Sequence, residues 1–166
     1  MRTPETARTR KRKAAGAVAA APAMRPSSRS LPMQLMRARE AVMQRFRPHL
    51  RRHEITDQQW RIIRVLVEVD ALEILDLSER CCIHPASLSR ILPNMETAGL
   101  IARCAHARDL RRVIVSITPQ GRCLFETMAP RSEEIYAEIA RDIGPARLHQ
   151  LYRALDDMIE VLSPEE

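Results

Sequence analysis

The side chains best equipped for chemistry fall in two short stretches. Residues 84–90 read His-Pro-Ala-Ser-Leu-Ser-Arg, and residues 108–112 read Arg-Asp-Leu-Arg-Arg. In the first, Ala86, Ser87 and Ser89 are small enough to let a helix backbone enter a groove, while two hydroxyls and the Arg90 guanidinium can reach base edges or phosphate oxygens. A helix opened by Pro85 also presents unpaired N–H groups to anions. In the second, Arg108, Arg111 and Arg112 carry forked donors suited to phosphate. Asp109, which phosphate would repel, is suited to holding a neighbour such as Arg111 in a fixed direction. Either stretch alone is also what a solvated charged surface looks like.

The remaining reactive groups form no recognisable centre. Cys81, Cys82, Cys104 and Cys123 include no pair with the two-residue gap or histidine neighbours of a zinc site, so no metal is assigned. They are expected to be free thiols that serve packing, with redox sensing as the alternative role. No Ser, Cys or His has a base and an orienting partner at motif spacing, and the four glycines build no phosphate loop. The sequence therefore predicts no catalytic residue, no cofactor and no enzyme.

Charge is sorted along the chain. Residues 1–30 hold eight basic side chains and one acid, residues 31–64 eight and three, residues 78–122 seven and three, and residues 124–166 four and ten. A basic leading part and an acidic end suit a partner made of phosphates at one end only. No apolar run approaches a membrane span or a secretory signal, so a cytoplasmic protein without membrane contact is expected.

These groups need elements to position them. With 166 residues, 45% hydrophobic and only five aromatic (Phe46, Trp60, Phe125, Tyr136, Tyr152), the chain suits one mainly α domain packed by Leu, Ile, Val and Met. Residues 1–30, with Arg10-Lys11-Arg12-Lys13 and an Ala/Pro run, are expected to form a disordered basic tail. Residues 31–162 form the domain. Leu35, Val42, Phe46 and Leu50 mark a helix over about 31–52 that Pro48 is expected to kink. Thr56 and Gln59 have capping-box spacing at the head of a second helix ending near Val69. A short third helix, near 75–82, is followed by a turn at Ile83-His84 and a fourth helix between Pro85 and Gly99, together a helix-turn-helix. The period then changes. Residues 100–103 and 113–117 read as strands flanking a charged loop of about nine residues. Thr118-Pro119 opens a fifth helix that Gly144-Pro145 stops, and in a last helix Leu148, Leu151, Leu155, Met158 and Leu162 alternate steps of three and four like a short coiled-coil seam.

Several of these stretches, in this order, are similar to those of the MarR group of winged helix-turn-helix regulators. They are Thr56-Asp57-Gln58-Gln59-Trp60-Arg61, Pro85 through Arg90, Glu96 through Arg103, Asp109-Leu110-Arg111 and Val113 through Gly121. The resemblance covers roughly residues 31–162. It implies a winged helix-turn-helix over 56–118, dimerisation helices over 31–55 and 119–162, and a homodimer bound to a pseudo-palindromic double-stranded operator. It also implies a repressor released by a small ligand. Carried over by position, Ser87, Ser89 and Arg90 become recognition-helix contacts and Arg108, Asp109 and Arg111 the working wing, with Arg112 beside it. Pro93 departs from the pattern, because it removes a backbone donor inside the recognition helix and is expected to bend it.

The stretch 31–43 resembles, within that family, the branch controlling degradation of homoprotocatechuate and related aromatic acids. A separate physical reading bears on a ligand. Arg39 falls in the stripe of Leu35, Val42 and Phe46, where a guanidinium needs an anion, either an internal carboxylate or that of an aromatic ligand. Trp60 and Arg64, one turn apart, supply a stacking face and a second cation, with His49 and His53 as lesser candidates. A phenylacetate, benzoate, hydroxycinnamate or pyridine carboxylate would satisfy this set.

Overall fold

The computed structural model describes residues 24, 26–106 and 109–163, with backbone only at 109–111. Residues 1–23 of the basic tail, and Arg25, lie outside the described residues, as do Ala107 and Arg108 at the wing tip. The described backbone belongs to two compact units that meet after Met36. In the first, a 3-10 turn at Ser27–Arg29 stands in the stretch expected to lack structure. Gln34 donates to the Ser28 carbonyl there, and Leu31, Leu35 and Met36 are exposed.

Six α-helices and a three-stranded sheet are described. Helix α1 (Leu31–Arg52) runs on through Pro48, and α2 (Asp57–Val69) opens with the expected capping box. Thr56 Oγ1 accepts from Gln59 N at 3.2 Å and Gln59 Oε1 accepts from Thr56 N at 2.9 Å. Two orphan amides are thus satisfied reciprocally. Next come β1 (Ala71–Glu73), α3 (Ile74–Cys81) and α4 (Pro85–Thr97), which continues past Pro93. Strands β2 (Ile101–His106) and β3 (Asp109–Ile117) lead to α5 (Pro119–Ile143) and α6 (Pro145–Leu162).

The sheet order is β1-β3-β2, antiparallel throughout. Strand β1 is absent from the sequence reading because three residues are too few to show a period, yet they pair Leu72 with Val115. The wing also corrects that reading. Cys104 and Ala105 pair with Ile114 and Val113, so much of the expected nine-residue loop is ladder, with an irregularity at His106. Its polar composition concealed strands that are solvated on one face.

One core binds α1 to α5. Leu50, Ile62, Ile63, Leu66, Leu77, Leu88, Leu92, Met95, Val115, Met128 and Ile135 are essentially inaccessible. Each such side chain contributes roughly 1.5–3 kcal/mol of burial. The joint between the wing and α5 is tight. Thr118 Oγ1 accepts from Gly121 N at 3.0 Å and donates to the Gly99 carbonyl at 2.6 Å. A Cβ at Gly121 would stand 2.1 Å from the Leu100 carbonyl oxygen, so only glycine allows α5 to start there. In contrast, α6 has no buried residue.

Candidate nucleic-acid interface and ligand site

The turn between α3 and α4 is held from several sides. Ser78, buried, donates to the Ile83 carbonyl at 2.7 Å, and Arg61 on α2 donates to the Cys81 and Cys82 carbonyls at 2.6 and 3.2 Å. The guanidinium thus caps the carbonyl end of α3. Cys82 sits in the left-handed region at φ 48°, which reverses the chain sharply enough to launch α4. His84 is the N-cap of α4, with Nδ1 accepting from Ala86 N at 3.3 Å. Leu88, Leu92 and Met95 bury one face of α4 in the core. Ser89 and Arg90 are exposed and Ser87 is half-buried. The Ser89 hydroxyl donates back to the Ala86 carbonyl at 2.9 Å, leaving its lone pairs for an incoming donor.

The far end of α4 is fixed to the wing by Arg103, whose guanidinium donates to Glu96 at 2.9 and 2.5 Å. That pairing holds the Glu96 carboxyl below its ordinary value. Arg112 is engaged in the same manner, its Nε donating to Glu73 on β1 at 2.6 Å. It braces the base of the wing while its side chain stays half exposed beside the expected DNA face. Asp109 and Arg111 lie on β3, but the expectation that one holds the other rests on side chains outside those described, and Arg108 is outside the described residues altogether.

The four residues expected to bind a ligand do not converge. Arg39 is half exposed, with Asp57 at 3.9 Å, and lines a cavity that includes neither Trp60 nor Arg64. Asp57 is the internal carboxylate that was one of the two anions expected for it, and half of the Arg39 side chain stays open to solvent. His49 is buried, with Nε2 3.0 Å from the Met128 carbonyl and its ring edge-on to His53, and acts as a satisfied core histidine. Trp60 and Arg64 do share surroundings. Trp60 stacks on Phe125 of α5 at 5.6 Å, and Arg64 donates to the Tyr136 hydroxyl at 2.6 Å while lying 5.6 Å from that ring's centre. Phe46 of α1 tilts against Tyr136 at 4.8 Å. Four of the five aromatic residues thus gather where α1, α2 and α5 meet. The sequence reading missed Phe46, Phe125 and Tyr136 here, because each reads locally as a core residue. The Trp60 indole Nε1 is buried without an acceptor among the described residues, a donor in need of a partner.

The cysteines are all free, with Cys82, Cys104 and Cys123 exposed. Burial pushes the Cys81 thiol up to about 11, so it is protonated at neutral pH. Among the described residues no group of His, Cys, Asp and Glu could hold a metal, and no helix is long and apolar enough to cross a membrane.

Comparison with known proteins accounts for this arrangement. Residues 55–113, from the start of α2 into the wing, match the MarR family. The homoprotocatechuate degradative operon repressor of Escherichia coli is 38% identical over 130 residues, covering 78% of this chain and 88% of that one. The HTH-type transcriptional regulator FarR of Neisseria gonorrhoeae is 39% identical over 132 residues, covering 80% and 90%. A solved structure of NadR in complex with 4-hydroxyphenylacetate superposes with a TM-score of 0.72 at 37% identity, covering 80% of this chain and 96% of that one. With its helix-turn-helix, its wing and relatives that are regulators and not enzymes, the chain belongs to the MarR family of DNA-binding transcriptional regulators.

Proposed function

We propose that the protein is a repressor that binds a pseudo-palindromic operator as a homodimer and leaves it when an aromatic carboxylic acid binds at Trp60 and Arg64. Two copies of α4 enter successive major grooves, with Ser87, Ser89 and Arg90 toward the bases and phosphates and Arg108, Asp109 and Arg111 carried by the wings. The single observation behind the ligand reading is the buried, unpartnered Trp60 Nε1, one helical turn from the Arg64 guanidinium. An aromatic acid offers a ring for the aromatic cluster and a carboxylate for both donors. The relatives named for homoprotocatechuate and crystallised with 4-hydroxyphenylacetate support that ligand class. Release follows only if the acid prefers the spacing of recognition helices that does not fit DNA.

The test is binding of purified protein to the intergenic DNA beside its own gene, at fixed near-physiological salt, with unrelated DNA and a panel of aromatic acids. Selective binding that one acid reverses, together with loss of that response but retention of DNA affinity in Arg64→Ala, supports the reading. Equal binding to both DNAs rejects the operator. An unaltered acid titration in Arg64→Ala rejects the ligand site.

A further inference from the structure

A cavity that neither Trp60 nor Arg64 lines adjoins the helix-turn-helix. It measures about 720 Å3 and is bounded by the later part of α1, the first turn of α2 and the turn after α3. Four guanidinium groups line it, those of Arg39, Arg47, Arg51 and Arg61, against one carboxylate, Asp57. Arg47 bridges Glu40 at 2.8 Å and Asp57 at 3.3 Å, and this pairing holds the Glu40 carboxyl below its ordinary value. Arg39 approaches the same Asp57. Glu40 and Asp57 therefore answer two of the four positive charges. Arg51 is exposed and has no carboxylate partner among the described residues. Arg61 spends its Nη1 on the α3 carbonyls, and its Nε is buried without a partner.

The cavity also receives the head of α2. There Thr56 satisfies the amide of Gln59, while the first two amides of the helix have no intrahelical acceptor. A surplus of two guanidinium charges and free helix-end amides together match an oxyanion carrying about two charges. Aromatic monocarboxylates would leave half of that surplus unanswered, and the lining holds no aromatic ring to stack on them.

From this geometry we infer that the cavity around Arg51 and Arg61 is a phosphate-recognition site, distinct from the aromatic-acid site. Phosphate reaches it from one of two sources, a small phosphorylated compound or the DNA backbone flanking the recognition helix. An oxyanion there meets the guanidinium that caps α3, so occupancy bears directly on the turn that launches α4.

Cys82 makes the site testable, because it lines the cavity and is exposed, while Cys104 on β2 and Cys123 on α5 are exposed away from it. The full chain is pulse-labelled with iodoacetamide and the three sites are read separately by mass spectrometry, in inorganic phosphate or in chloride of equal ionic strength. With phosphate at about four times its Kd, Cys82 labelling slows about fivefold. Cys104 and Cys123 are unchanged, and Arg51→Glu abolishes the protection. Circular dichroism of Arg51→Glu confirms that this exposed substitution leaves the fold intact. A parallel arm uses duplex DNA. Protection by DNA that Arg51→Glu removes, with a fall of about one in the salt slope of binding, assigns the phosphate to the DNA backbone. Three results overturn the site. The first is the absence of protection by either probe. The second is equal slowing at all three cysteines. The third is protection of Cys82 that persists in Arg51→Glu, which for DNA is only the shadow of the neighbouring recognition helix.

Discussion

The helix-turn-helix head and helix α6 are built from similar side chains and end up in opposite environments. In the head, Leu77, Leu88, Leu92 and Met95 are wholly enclosed, Ser78 and Arg61 hold the turn, and Arg103 and Arg112 pin the wing. In α6, Leu151, Ile159, Val161 and Leu162 are between 46% and 80% exposed, and no ion pair among the described residues involves the helix. Eighteen residues ordered with no buried side chain are poorly repaid within one chain. The head is complete in itself, whereas α6 leaves apolar side chains exposed, which the homodimer proposed above would cover.

The strongest way to break that contrast is at the joint between the wing and α5, which carries α6 at its far end. Gly121→Ala forces a methyl against the Leu100 carbonyl, and should cost about 3 kcal/mol or more, read as a fall in the thermal midpoint. A midpoint unchanged within error would mean that α5 can begin elsewhere and that the head is not rigidly seated. Next in size is the double change Leu151→Glu with Ile159→Glu. Both positions are exposed, so the monomer should keep its helical content while self-association weakens by about 100-fold or more, seen by sedimentation. Unfolding of the monomer would show that α6 packs on its own chain instead.

A smaller effect sharpens the contrast from the head's side. His84→Ala removes the cap of the recognition helix and should cost about 1 kcal/mol, while His84→Asn, a good cap, should restore most of it. If both substitutions behave alike, the cap at 3.3 Å contributes nothing. Smallest is a pH effect where α5 meets α1. Hydrogen bonds from Arg131 and Arg45 hold the Glu138 carboxyl below its ordinary 4.5, so its contribution is present above that value and is lost as pH falls through the lower, folded value. Glu138→Gln should flatten the acid limb of the stability profile slightly and leave the neutral region alone. An equal acid slope in both proteins would show these exposed pairs to be inert.

The helices were legible because their signals are local. Thr56 with Gln59, Pro85, Thr118-Pro119 and Gly144-Pro145 each act within one turn of themselves, and the structure places boundaries at all of them. Pro48 and Pro93 were expected to kink or bend their helices, and both helices run on past them as single elements, each with one backbone donor fewer. Strand β1 and the length of the wing were illegible. A three-residue strand has no period of its own and exists only through pairing with β3. The ligand candidates divide in the same way. Trp60 and Arg64 were found by their shared helix face, but Phe125 and Tyr136 come from a helix about seventy residues away.

Sequence alone determined the order of the six helices, the polarity of the chain from basic head to acidic end, and the small-residue face of the recognition helix, because each depends on neighbours within a few positions. Tertiary structure decided which charges are spent and which remain. Arg39 finds Asp57, Arg112 finds Glu73 and Arg61 finds the carbonyls of Cys81 and Cys82, while Arg51 finds no carboxylate and the Trp60 indole N–H no acceptor among the described residues. A charge or donor has meaning only through what lies within a few ångströms of it, and that distance is set by the packing of segments far apart in the chain.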